Sequence, residues 1–277
     1  MNRHKLAILC DFDGTVTKRD VGFHIYTRFG DERWEEINKS WRRGEISSKD
    51  CLIGEYSLID ASEEEVREYI MDMEIDDGFP ELVSICREND IPLAIVSDGF
   101  DFYISTILEK YGLGDLQVFC NEMRFDGRRV VLSFPYYDQG CGVCGNCKKL
   151  HVDNFRKNFA KVVYIGDGLS DKFAARASDI VFAKDELKDY LEKNEVDFHE
   201  FCCLDDVNKW LAMAIDEVDC FITDKSEDPC KEARFLKSTK GKKEVDKFDK
   251  EILKDLKMKK IRKDMGDGRY IIYYEWS

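Results

Sequence analysis

The chain has 277 residues, is 43% hydrophobic and 36% charged, and carries a formal net charge of −14, with eleven cysteines and only four prolines. That length allows one large domain or two modest ones with a real core, and the composition excludes a low-complexity or fibrous chain. No apolar run approaches the roughly 18 residues of a membrane helix, and the first apolar run begins directly after Lys5, too early for a signal peptide, so a cytoplasmic location is expected.

Leu6 to Cys10 is an unbroken apolar run that stops at Asp11-Phe12-Asp13-Gly14-Thr15. Such a run before an Asp-Gly turn predicts a strand buried on both faces. From Asp20 to about Met73 the pattern is helical. Val21, Phe23, Ile25, Tyr26 and Phe29 cluster, Trp34, Ile37 and Trp41 follow at spacings of three and four, and Ser62 to Glu65 form a capping box. Helices inserted between a first and a second strand predict a small cap.

Gly78-Phe79-Pro80 opens another helix, with proline in its first turn. Ile91 to Val96 is a second buried strand ending at Ser97-Asp98-Gly99, followed by a helix over 101–111. A short strand over 118–121 precedes a hairpin in which 122–125 and 128–133 flank Asp126-Gly127. Lys148 starts a helix reaching about Phe159. A third buried strand, Val162 to Ile165, runs into Gly166-Asp167-Gly168. A helix over 170–177, a strand over 180–183, and helices over 185–192 and about 205–218 continue the alternation. Beyond Ile222 the character changes to a charged helix over 242–260, a turn at Gly266-Asp267-Gly268 and a strand over 269–276.

The expected fold is α/β: a Rossmann-like parallel sheet formed by residues 1–15 and 78–222, an inserted helical cap over 16–77, and a basic C-terminal helix-strand extension over 223–277 of no evident chemistry. From Lys225 onward, sixteen basic and eleven acidic side chains leave a balance of +5, so the rest of the chain carries −19. So acidic a body argues against nucleic acid as a partner. A small phosphorylated molecule held by a local cation and backbone N–H groups remains compatible with it.

Asp11 and Asp13, one residue apart at a strand end, face the crevice where open α/β sheets place ligands. One carboxylate there can attack an electrophile while the other passes a proton to the leaving group and later takes one from water. Their mutual repulsion calls for a divalent cation. Further along, the strand ends and helix starts supply Ser97, Lys148, Asp167 and Asp171, in that order.

This ordered set resembles the haloacid dehalogenase superfamily of phosphatases, in its phosphoserine-phosphatase-like branch with a helical (C1-type) cap. The resemblance spans about residues 5 to 220. It rests on Asp-Phe-Asp-Gly-Thr at 11–15, Ser-Asp-Gly at 97–99, Lys148, and Gly-Asp-Gly-x-x-Asp ending at Asp171. It implies Asp11 as nucleophile forming an aspartyl-phosphate, and Asp13 as general acid and then base. It also implies Mg²⁺ held by Asp11, the carbonyl of Asp13 and Asp167. Ser97, Asp98 and Gly99 would form the phosphate-binding turn, Lys148 would neutralise charge, and Asp171 would support the metal or Lys148. Lys149 is the alternative ammonium.

Within the branch, Phe134 to Lys148, with its cysteines, resembles the 2-hydroxy-3-keto-5-methylthiopentenyl-1-phosphate phosphatases and the phosphoethanolamine/phosphocholine group that includes pyridoxal phosphate phosphatases. Ser-Asp-Gly in place of the usual Ser-Gly-Gly argues against phosphoserine as substrate. Cys141, Cys144 and Cys147 have metal-ligand spacing, and His151 or Cys120 would complete a tetrahedral structural Zn²⁺ site. An iron–sulfur site needs a fourth cysteine, Cys120 being nearest, and plain thiols in a glycine-rich loop are the other reading. Asp20, Tyr26, Trp41, Arg42 and Arg43 are cap residues suited to substrate selection, although the aromatics also fit a cap core. A phosphotransferase on the same scaffold and a non-catalytic protein using the cysteine loop and basic tail are the rival functions. The oligomeric state and the particular phosphate ester are not encoded in any motif.

Overall fold

The computed structural model describes residues 4–215, 258–264 and 270–276. Strands β1 (His4–Cys10), β2 (Leu93–Phe100), β3 (Gln117–Asp126), β4 (Arg129–Ser133), β5 (Phe159–Gly166), β6 (Ile180–Ala183) and β7 (His199–Glu200) form one sheet in the order β4-β3-β2-β1-β5-β6-β7. All neighbours in it run parallel except β3 and β4, which form the predicted hairpin. From β1 the chain goes first to β2 and β3 on one side and returns to β5 on the other. β1 and β5 therefore flank the topological switch point, the place where open α/β sheets bind ligands.

The unbroken apolar runs exist because both sheet faces are covered. Ile8, Cys10, Ile95, Val163 and Ile165 face one core with helices α5 (Phe79–Glu88), α6 (Asp101–Lys110) and α10 (Leu204–Ala214). Leu9, Ala94, Val96, Val162 and Tyr164 face the other, with α7 (Lys148–Phe155), α8 (Lys172–Ala177) and α9 (Asp185–Lys193). Neighbouring residues of one strand thus belong to opposite cores, as the two-residue period of a strand requires.

Between β1 and β2 lie α1 (Val21–Phe29), α2 (Trp34–Arg42), α3 (Ser48–Tyr56) and α4 (Glu63–Ile70). Asp20 caps α1 through a Phe23 N–H, Ser47 caps α3, and the Ser62/Glu65 capping box opens α4. The chain enters and leaves this layer through a paired stem: Thr17 bridges Ile75, Asp76 N–H donates to Val16 O at 2.8 Å, and Lys18 N–H donates to Glu74 O at 3.0 Å. α1 and α4 join the main core, whereas α2 and α3 share a small one of Ile37, Cys51 and Leu58 flanked by Trp34 and Trp41.

Several expectations change: β2 runs on through Ser97 to Phe100, and the helix expected to reach about Phe159 ends at Phe155, with Phe159 starting β5. The strand expected over 118–121 and the first hairpin arm are one ten-residue strand, β3, which pairs with β2 up to Asn121 and beyond it with β4 alone. A change of partner had the look of a break. β7 is two residues long and left no pattern to find. In the C-terminal segment, residues 258–260 were expected to end a helix. They belong instead to β8 (Met258–Asp264), antiparallel to β9 (Tyr270–Trp276), whose Ile- and Tyr-rich chain supplies the ladder. The rest of that helix, the Gly266-Asp267-Gly268 turn and residues 216–257 lie outside the described residues.

Candidate active site

The tips of β1, β2 and β5 and the start of α7 meet at one place. Asp11, directly after β1, is buried, and its Oδ1 accepts from Phe12 N–H at 2.7 Å. The chain then turns sharply through Gly14, whose φ of 75° is left-handed and whose missing Cβ leaves room for the Asp167 carboxylate. Thr15 Oγ1 donates to Asp167 Oδ1 at 2.8 Å, tying the β1 turn to the tip of β5.

Lys148, the first residue of α7, is only 3% exposed. Its Nζ lies 2.7 Å from Asp11 Oδ1 and 2.6 Å from Asp171 Oδ1, and donates to Ser170 Oγ at 3.0 Å. Burial by itself pulls this ammonium's pKa down, but Asp11, Asp171 and Asp98 outweigh that and hold it above the ordinary lysine range. Asp171 accepts from Tyr164 OH at 2.6 Å on Oδ1 and from the N–H groups of Asp167 and Gly168 on Oδ2, so both of its oxygens are engaged. Lys149 turns instead to Asp153 at 2.6 Å, which removes it as the site's ammonium.

One oxygen each of Asp11, Asp167 and Asp171 lie within 4.8 Å of one another. Burial, then the charge of Asp171, pushes Asp167 up to about 7, and the same two causes raise Asp11 despite Lys148. Three hard carboxylates around one ammonium are a donor set that suits a small divalent cation. Asp171, fully engaged, stands behind Asp11 and Asp167 in this cluster.

Asp13 points away from it, toward the helical layer. Its Oδ1 accepts from the N–H groups of Val21 and Gly22 at 2.9 and 3.3 Å, and its Oδ2 from Tyr103 OH at 2.6 Å. Burial, and next the charge of Asp20, pushes Asp13 up to about 7, while Tyr103 and the two N–H groups pull against that rise. A carboxyl so poised can both give and take a proton near neutrality. Gly99 is required here, since a Cβ would collide with Tyr103 OH and approach Asp13 Oδ2.

A family model described as "Putative Phosphatase" matches residues 6–211. The chain is 36% identical over 216 residues to a 2-hydroxy-3-keto-5-methylthiopentenyl-1-phosphate phosphatase of Lysinibacillus sphaericus, covering 74% of this chain and 93% of that protein. It is 31% identical to the protein of the same name in Brevibacillus brevis, covering 77% and 98%. The chain belongs to the haloacid dehalogenase superfamily of phosphatases. Within it the phosphatase falls in the phosphoserine-phosphatase-like branch. A phospho-aspartyl intermediate analogue of phosphoserine phosphatase shares its fold, with a TM-score of 0.59 at 22% identity over 76% of this chain and 99% of that one. The phosphatase is a hydrolase of the haloacid dehalogenase type, and its Asp11, Asp167 and Asp171 cluster is consistent with a metal site of that type. Among its described residues no helix is long and apolar enough to cross a membrane.

The strand tips form the floor of a cavity of about 480 Å³ whose roof includes Phe23, Tyr26, Trp34, Trp41, Leu52 and Glu55. Asp20 and Arg42 line it as expected. Arg42 reaches across its mouth to Glu186, at 2.7 Å. Arg43 does not line it. Its guanidinium is held on the outer surface by Glu36 and Glu45, both within 3 Å, and the expectation of a substrate contact there is withdrawn. Tyr26 serves both readings, buried in the core and facing the cavity.

Ser97 and Gly99 lie at the irregular end of β2, where its pairing with β3 shifts between Val96 and Phe100, and Gly99 N–H donates to Ser97 Oγ at 2.9 Å. The Asp98 carboxylate is engaged elsewhere, accepting from Ser48 Oγ at 3.0 Å and Asn146 N–H at 2.7 Å, so it bridges α3 and the cysteine loop. Cys141, Cys144 and Cys147 do gather. His151 does not join them: its Nε2 pairs with Asn146 Oδ1 at 2.7 Å, its ring stacks on Phe119, and burial pushes it down to about 4. Cys120, pushed up to about 12 by burial, is also outside the group.

Sequence reasoning missed Tyr103, Tyr164 and Glu55. Tyr164 sits in an apolar strand run and reads as core. Glu55, buried and pushed up to about 7 mainly by that burial, meets Asn38 at 3.2 Å and carried no motif. Tyr103 lies seven residues before the end of α6, where nothing in the pattern separates a ligand of Asp13 from a helix core residue.

Proposed function

We propose that Asp11 is the nucleophile and Asp13 the acid and base, with one phosphate ester bound between the strand tips and the aromatic roof. The observation that carries this reading is the engagement of Lys148 with Asp11 on one side and Asp171 on the other, while Asp13 stands apart on its own donors. In the first step a carboxylate oxygen of Asp11 bonds to phosphorus, the bond from phosphorus to the ester oxygen breaks, and Asp13 gives that oxygen its proton. In the second, Asp13 takes a proton from water as the water oxygen attacks phosphorus. The bond to Asp11 breaks and phosphate leaves. Lys148 and the N–H groups near Gly99 offset charge on the equatorial oxygens, which a loose transition state chiefly requires. Asp11, the main-chain carbonyl of Asp13 and Asp167 would hold Mg²⁺, which would supply charge neutralisation at the phosphoryl oxygens.

Residues 16–77 act as a cap on a core of 1–15 and 78–222, a division supported by the paired stem at Thr17 and Ile75. Arg42 and Glu186 are both about half exposed, and such surface pairs contribute about 0–1 kcal/mol, so this latch opens readily. The aromatic roof fits an ester with an apolar tail, as in the methylthio-substituted esters after which the relatives are named. The test is Mg²⁺-dependent phosphate release from a panel of metabolite monoesters, with Asp11→Asn alongside. The proposal expects release favouring apolar-tailed esters and none from Asp11→Asn. Full activity in Asp11→Asn overturns the assignment, and faster turnover with an added alcohol than with water points to phosphotransfer.

A further inference from the structure

Between the end of β4 at Ser133 and the start of α7 at Lys148 the chain has no helix or strand. A stretch of this length without secondary structure is uncommon in a compact domain. Yet it ends on a side chain that must sit 2.7 Å from Asp11. Asn146 ties the loop to β2 and β3, its Nδ2 donating to Ser97 O and Phe119 O and its N–H to Asp98 Oδ1, while Phe134 packs on Phe100 and Tyr136 on Phe119. Between these anchors the three cysteines gather with Phe173 in a core of their own, apart from the two that cover the sheet.

We propose that Cys141, Cys144 and Cys147 bind one zinc ion, which fastens this loop and fixes the start of α7 at Lys148. The three sulfurs lie within 4.8 Å of one another, and Cys141 and Cys144 are 3.4 Å apart. Zn–S bonds of about 2.3 Å in a tetrahedron separate sulfurs by about 3.8 Å, so a single ion fits with little movement. The arms of an iron–sulfur cube diverge from its corners and hold sulfurs farther apart. No disulfide joins any of the three. Cys144 N–H donates to Cys141 Sγ at 3.4 Å, and Cys147 is the residue directly before α7. Among the described residues the three thiolates are the ligand set, His151 and Cys120 being outside the group, and soft thiolate ligands select zinc over the Mg²⁺ proposed at the strand tips.

The cysteines touch no reacting group and act on the site only by placing Lys148, so metal content is read apart from phosphatase activity. The full chain, purified with zinc present and gel-filtered in Mg²⁺ buffer, is assayed for bound metal, in parallel with Asp167→Asn and Cys141→Ser/Cys144→Ser. The proposal expects one zinc per chain in the wild type and in Asp167→Asn, and none in the double variant. Co²⁺ added to metal-free wild type is expected to give thiolate-to-metal charge-transfer absorption, a readout independent of whether the double variant folds. Zinc should also slow amide exchange over 140–150. Zinc-free wild type without the Co²⁺ bands, a Cys141–Cys144 disulfide in their place, or bound zinc that leaves exchange over 140–150 unchanged would each overturn the proposal.

Discussion

The floor and the roof of the cavity are built on opposite principles. The floor holds charges where water is scarce: Asp11, Lys148 and Asp171 are each under 5% exposed and each is fixed by at least two partners. The roof holds aromatics from buried to partly exposed, Phe23 and Tyr26 on α1 and Trp34 and Trp41 on α2, and the Arg42–Glu186 ion pair crosses its mouth at the surface. A buried charged network tolerates little change, because removing one member strands the rest. A roof of aromatic faces tolerates much, because apolar contacts carry no direction. The chemistry is therefore fixed by the floor, and selectivity is free to vary in the roof.

Replacing Lys148 with Met tests the floor most severely. It leaves Asp11 and Asp171 without their cation, and kcat/KM is expected to fall about 10²–10³-fold. Urea melts should show a loss of about 3–5 kcal/mol. A stable, active Lys148→Met protein would break the contrast between the two regions. Trp34→Ala tests the roof, with an expected loss of about tenfold in kcat/KM for an apolar-tailed ester and little change for a compact one. Equal losses on both would mean that the roof is merely structural.

Two smaller effects concern pH. Tyr103 donates to Asp13 and favours its charged form, so Tyr103→Phe should raise the pKa of Asp13. The alkaline limb of the kcat/KM profile, where Asp13 loses its acid proton, should then move up by about one pH unit. An unmoved limb would remove Asp13 as the acid. Asp13 and Asp167, both raised to about 7, hold protons that the unfolded chain releases above about pH 4. The metal-free protein accordingly loses stability as pH rises from about 4 to about 7. Mg²⁺ should raise Tm more near about pH 8 than near about pH 5, and an equal rise at both would place the cation away from these carboxylates.

How much was legible follows the same division. The floor could be read because β1, β2 and β5 announce themselves as apolar runs, and a strand's end fixes where the next side chain goes. The sequence pattern thereby puts Asp11, Ser97 and Asp167 at strand ends, and all three line the cavity. What closes the network was not legible: Tyr164 and Tyr103 reach the site by side-chain length across the sheet and from α6, in patterns that look like core. In the roof, Arg42 and Arg43 are neighbours in sequence with opposite fates, one at the cavity mouth and one on the outer surface, decided by one helical step of about 100°. Likewise His151 has metal-ligand spacing from Cys147, yet nearby Asn146 pairs with its Nε2 and distant Phe119 stacks on its ring.

The central claim is that a phosphoryl group passes through Asp11 and that Asp13 is needed to release it. Asp13→Asn should slow turnover about 10²–10⁴-fold. With p-nitrophenyl phosphate, whose leaving group needs no proton, the first step still proceeds. Acid quenching of that variant followed by peptide mass analysis should then find one added phosphoryl group, on Asp11. Phosphate carried by any other residue, or steady turnover with no covalent species at all, would contradict the account.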